Sequence, residues 1–314
     1  MAVSKFKDVK LNPIKREIPI MPNPYRKLPG KHIQITPVQK VQNMAILFVV
    51  KDFTLSHGAV EHLQKTPYSS ITFLLGHETE GSILHKLKAK GWANNLSVSL
   101  LHYEINHIAV KVNIQLTDQG VSKTDEIVSV VFNYLRMLKK NLPLPVFIPE
   151  EREKVHKMTF KFMGKPGQIS SLSRSIASSM NQPWRKYGNE DDLHLVLSGN
   201  IFNKTHSPEL VSEALDEFSV DNMFILTVHS GQIMTETEPI YGAPYGIKNI
   251  DPMSILRWKK AAGEIVSDDS EDDSNDDLVT GLNLPIPNDF IPSDFRIFPK
   301  TVEEIQCVQK FGHF

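Results

Sequence analysis

Hydrolytic metal chemistry would show first as histidines and acids at ligand spacing, and the chain has twelve histidines. His57, Gly58, Ala59, Val60, Glu61 and His62 have the residue types of a zinc hydrolase. In an H-x-x-E-H pattern, two imidazoles four apart project from one helical face and hold the ion, while the glutamate activates water. Here the histidines are five apart, which turns the second about 140° around a helix from the first. Gly58 weakens a helix at the same point. No metal is expected at this pair, which reads instead as polar surface at a strand-to-helix junction. His77 and Glu78 begin like H-E-x-x-H, but Gly81 stands where the second histidine is needed. His102, Glu104 and His107, taken as one strand, put His102 and Glu104 on one face and His107 on the other. No G-x-S-x-G turn, phosphate-binding glycine loop or C-x-x-C pair occurs. Cys307 is the single cysteine, without a partner for an internal disulfide; as a nucleophile it would have to recruit a distant histidine from a peripheral tail, so it reads as a bystander thiol.

Composition narrows the class further. The 314 residues carry 35 Lys and Arg against 36 Asp and Glu, so no electrostatic case exists for a nucleic-acid partner. No window approaches ~18 consecutive apolar residues, so no membrane span is expected. With no secretory or organellar leader in view, a soluble cytoplasmic protein is expected.

Periodicity then supplies the elements. Residues 1–31 form a basic arm in which Pro13, Pro19, Pro22, Pro24 and Pro29 forbid a continuous helix. The body is expected over 32–265. Ile33 and Ile35 open it, and the apolar run 44–50 (MAILFVV) predicts a strand covered on both faces. Ser82 caps a short helix with Ile83, Leu84 and Leu87 on one side and Lys86, Lys88 and Lys90 on the other, and Gly91 ends it. Strict alternation from Ile108 to Leu116 predicts a strand with one face on the core. Ile127, Val131, Tyr134, Leu135 and Leu138 predict a helix over 123–140. A further helix is expected from Pro149, as its first residue, to near Phe162. Another opens at Ser207 and Pro208, and 223–228 is a strand. Residues 266–278 are an acidic insertion expected to be disordered. Residues 279–314 form an extended strap with regularly placed prolines.

One stretch is specific enough to carry a resemblance. Residues 68–94, YSSITFLLGHETEGSILHKLKAKGWAN, resemble the Y-L-x-x-L-x-G-H-E-G-x-G-S-L-L-x-x-L-K-x-K-G-W block of the insulinase (insulysin, or insulin-degrading enzyme) metallopeptidases, pitrilysin-type inverzincins. Further motifs follow in register. They are Leu116-Thr117-Asp118-Gln119-Gly120, Tyr241-Gly242-Ala243-Pro244-Tyr245, Trp258, and Leu284-Pro285 with the segment from Asn288 to Phe295. The resemblance covers roughly residues 24–297.

The resemblance implies an α+β fold with a largely antiparallel sheet flanked by helices. It places the chain in the family's second, non-catalytic domain. The family's zinc ligands lie in its first domain, so no cofactor is expected in this chain and it is expected to be inactive alone. By the same resemblance, Gly76, His77, Glu78, Gly81, Leu96, Val98 and Ser99 are the candidate exosite, holding an extended peptide through backbone pairing. Thr79 stands where the family has glycine and Glu80 where proline is usual, while Val98 and Ser99 replace the paired small, glycine-type residues that follow Asn94-Asn95-Leu96. A glycine admits another backbone closely, whereas a valine can obstruct it. The expected partners are therefore an extended peptide or an insulinase-family catalytic partner. The alternatives are a truncated product of a zinc metalloendopeptidase, or a structural subunit that assembles through the sheet edge.

Overall fold

The structure, a computed structural model, describes residues 25–50, 67–103, 107–162, 173–174, 176–177, 208–231, 234–265, 277–292 and 294–295. Its strands are β1 (Lys31–Ile35), β2 (Asn43–Val50), β3 (Ala93–Tyr103), β4 (His107–Leu116), β5 (Met223–Val228), β6 (Glu236–Thr237) and β7 (Pro244–Asn249). The helices are α1 (Pro67–Leu75), α2 (Ile83–Ala89), α3 (Thr124–Lys140), α4 (Phe147–Lys161), α5 (Pro208–Asp216) and α6 (Pro252–Ala262). The strands form one seven-stranded sheet in the order β3-β4-β2-β5-β1-β7-β6. Every neighbouring pair is antiparallel except β1 with β5. This is the α+β, mainly antiparallel architecture expected from the sequence.

Alternation decides which side chains meet the helices. In β2, Met44, Ile46, Phe48 and Val50 join the main core with residues of α1, α2, α3 and α5, while Ala45 and Leu47 face the opposite side. Both faces of this central strand are covered, as an unbroken apolar run demands. Phe48 meets Phe132 edge-on at 5.9 Å and Phe218 at 5.0 Å, so one aromatic ring ties the sheet to the helical layer. On the opposite face Tyr25 stacks on Phe224 at 5.8 Å, and Leu28 and Ile33 pack beside them. The last residues of the basic arm thus lie on the sheet, and Lys31 already belongs to β1.

Helix α4 starts two residues before Pro149 rather than on it. Ile148 is fully buried and its amide bonds to Pro145 O at 3.2 Å, so core contact draws these residues into the first turn. Proline is tolerated in that turn because its missing N–H would have no helical partner there. His102 and His107 lie on two strands, not one, since Tyr103 pairs with His107 across β3 and β4. His32 bonds Thr227 Oγ1 at 2.8 Å, and burial, with Lys248 and His229 nearby, pushes its pKa down to about 4. It therefore packs as a neutral ring.

One buried group gains nothing from its polarity. Tyr134 on α3 is fully buried, and its hydroxyl has no hydrogen-bond partner among the described residues. Burial alone pushes its pKa up. Tyr134→Phe is therefore expected to stabilise the fold by about 1 kcal/mol, because it removes an unsatisfied buried hydroxyl at nearly constant shape. Denaturant unfolding checks this, and a lower midpoint in the variant would show that the hydroxyl is satisfied. Among the described residues, no helix is long and apolar enough to cross a membrane.

Candidate functional site

The candidate residues lie at one corner, where α1 ends, α2 begins and β3 forms one end of the sheet. Gly76 follows the last turn of α1 and donates its N–H to Thr72 O at 3.0 Å. A Cβ on Gly76 would lie 3.2 Å from that oxygen and 3.6 Å from Val98 Cγ2. Gly76 therefore faces Val98, with room between them for little more than a methyl group. Val98 points across to the helical layer, as do Leu96, which is buried, and Leu100. Its side chain stands out of the plane in which another strand would pair. Ser99 is exposed and belongs to the opposite face by alternation.

His77 sits half-buried beside Phe73, edge-on at 5.2 Å, and its Nδ1 pairs with Thr79 Oγ1 at 2.9 Å. Burial lowers its pKa; the nearby carboxylates of Glu151 and Glu78 oppose that shift in part. Glu78 is exposed. Gly81 has φ +83° and faces the strap: its carbonyl accepts the Asn283 N–H at 3.0 Å, and a Cβ would lie 3.0 Å from Asn283 Cβ. Only glycine supplies both the left-handed turn and that clearance without strain. Ser82 caps α2, its Oγ accepting from His85 N at 3.1 Å.

The site thus brings together Gly76, His77 and Val98, while Gly81 serves the strap. Sequence reasoning missed the strap's part in this corner. Lys86 donates to Thr280 O at 2.8 Å, Lys86 and Lys90 both meet Asp277, and Glu151 on α4 accepts from Asn288 N at 2.6 Å. The available signal was the basic face of α2 opposite the last acid of the acidic run. Most of that run, residues 266–276, lies outside the described residues, as do His57, His62, Glu104 and Cys307.

The same corner joins two separate sequence motifs. Thr117 Oγ1 donates to Gly91 O at 2.6 Å and accepts from Gly120 N at 3.0 Å, while Thr117 N bonds Trp92 O at 3.1 Å. The L-T-x-x-G motif is a clasp closed over the G-W that starts β3. Among the described residues, no three His, Cys, Asp or Glu side chains lie together as a metal site would require.

A mostly antiparallel sheet with helices on one face and a long outermost strand beside a glycine corner is the architecture of one pitrilysin-type domain. Residues 1–147 match the peptidase M16 inactive domain, and residues 160–310 match the middle or third domain of peptidase M16. The chain belongs to the peptidase M16 family, the family of the insulinase-type enzymes. It is 27% identical to insulin-degrading enzyme of Drosophila melanogaster, over 95% of this chain and 27% of that protein. Against the A-factor-processing enzyme of Saccharomyces cerevisiae it is 28% identical, over 93% of this chain and 26% of that protein. The crystal structure of pitrilysin matches the fold with a TM-score of 0.69 at 19% identity, over 86% of this chain and 26% of that one. The chain spans about a quarter of the length of these relatives.

Proposed function

We propose that this chain is the non-catalytic, peptide-holding part of an insulinase-type peptidase. In this reading an extended peptide adds as a further strand to the outer side of β3, beside Gly76 and His77. The zinc chemistry belongs to a catalytic partner region, in the same polypeptide or on another, and the assembly works in the cytoplasm. The observation that carries the reading is that β3, eleven residues long, has β4 as its single neighbour in the sheet among the described residues. An outermost strand offers main-chain donors and acceptors that take up extended chains with little demand on sequence. The fly relative is named for degrading insulin and the yeast one for processing A-factor. By that likeness the occupant of β3 is a polypeptide segment.

The test compares a labelled unstructured peptide with the same peptide N-methylated at alternate residues. Fluorescence anisotropy is expected to show at least about tenfold weaker binding after methylation, because each methyl removes a pairing N–H. Amides of 95–101 are expected to gain protection from hydrogen exchange in the complex. Equal affinity for the two peptides would remove strand addition as the binding mode.

A further inference from the structure

The strap is tied to the corner beside β3 along its whole described length. At its start Asp277 meets Lys86 and Lys90 of α2, and Lys86 Nζ donates to Thr280 O at 2.8 Å. In its middle Leu282 is buried in the main core, and the Asn283 N–H donates to Gly81 O at 3.0 Å. Further on, the Asn288 N–H donates to Glu151 Oε1 at 2.6 Å. Burial roots the middle, whereas the two flanking anchors are polar and Asp277 is mostly exposed. An exposed ion pair is weak and is screened by salt, so the flanks are the parts that open most easily.

Each anchor leads on to the outer strand. Back from Gly81, the Thr79 carbonyl accepts the Ser82 N–H at 3.1 Å and the Thr79 hydroxyl pairs with His77 Nδ1 at 2.9 Å. Gly76, next in line, faces Val98 of β3. Lys86 and Lys90 belong to the helix and cap that run through Gly91 into β3. Glu151, which holds Asn288, also acts on the site itself: burial lowers the His77 pKa, and the Glu151 carboxylate is the first of the charges that oppose the shift. The corner 76–81 is thus held at one end by β3 and at the other by the strap. Freeing the second end returns backbone entropy to every residue between them.

We infer that the strap regulates the peptide edge. Seated, it holds the Gly76–Gly81 corner in the shape that borders β3; released at its flanks, it frees that corner and weakens strand addition. The inference rests on the reading of β3 as the peptide edge. Coupling between two sites is reciprocal, so a peptide on β3 also tightens the strap.

Hydrogen exchange of the whole chain, paired with anisotropy of the labelled unstructured peptide, tests this in the parent and in Lys86→Met/Glu151→Ala. The double variant removes both polar flanks and leaves the buried middle in place. Without peptide, its Gly76, His77 and Ser82 amides are expected to exchange at least about fivefold faster, while those of β2 and α3 keep the parent's rates. It is expected to bind the peptide about fivefold more weakly than the parent. In the parent, the peptide is expected to slow exchange at the Asn283 and Asn288 amides by about the same factor. If the double variant does not fold, Lys86→Met and Glu151→Gln are read singly, each with an expected effect of about twofold to threefold. Unchanged corner amides, or equal peptide affinity in parent and variant, would overturn the strap's role and leave peptide pairing at β3 standing. A parent that binds no peptide would overturn both.

Discussion

Gly120→Ala is expected to cost about 4 kcal/mol or more, a loss large enough to leave little folded protein. A Cβ at this position would sit 1.9 Å from Trp92 O and 2.8 Å from Trp92 C. Both atoms are backbone, so no side chain can swing aside. Relief requires the Gly120–Ser122 turn to move off the start of β3, breaking the Thr117 N–H bond to Trp92 O and the hydroxyl bridge to Gly91. Gly91→Ala is the useful reference. At φ +71°, with Gln119 Oε1 as its one near contact, it bears a left-handed strain of roughly 1–2 kcal/mol and no backbone collision. Guanidinium unfolding of the two variants should separate them clearly. An unchanged midpoint for Gly120→Ala would mean that the clasp is not closed in solution.

Trp258→Ala is expected to cost about 4 kcal/mol and to lower the thermal midpoint by about 10 °C. Trp258 is 1% exposed on α6 and packs in the main core, and its Nε1 donates to Asp125 O at 3.0 Å. The same aspartate accepts from Ser254 Oγ at 2.5 Å and from Arg257 Nη1 at 3.3 Å through its carboxylate. Three residues of α6 therefore dock on the first turn of α3. Trp258→Phe keeps most of the packing and loses the N–H, so its expected cost is smaller, about 1–2 kcal/mol. If the two variants unfold at the same midpoint, the hydrogen bond rather than the ring volume holds α6 in place.

Much of this architecture was legible because the residues state it locally. The alternation in β4, the helical stripe of α3 and the cap at Ser82 each need only their own few residues to be read. Helix α4 starts two residues before the proline that marks it in the sequence, because Ile148 is helical for a tertiary reason, burial against the core, that no local propensity carries. The position of β3 at the end of the sheet is likewise a property of strand order, which single strands do not encode. At the candidate site, the sequence pointed to Gly76 and Gly81 as a pair. Their separate duties, one against Val98 and the other against Asn283, depend on segments 22 and 202 residues away.

The parallel ladder between β1 and β5 bears on how the polypeptide can be cut. His32 lies opposite Ile225, and β1 is flanked by β5 and β7, both supplied from beyond residue 222. The two stretches that match separate family descriptions, 1–147 and 160–310, therefore share a single sheet. The first stretch pairs β2, β4 and β3 by itself, but β1 finds both its neighbours in the second stretch and β5 finds both of its in the first. During synthesis β1 must wait for nearly two hundred later residues, so its place in the sheet is filled only after residues 223–249 have left the ribosome.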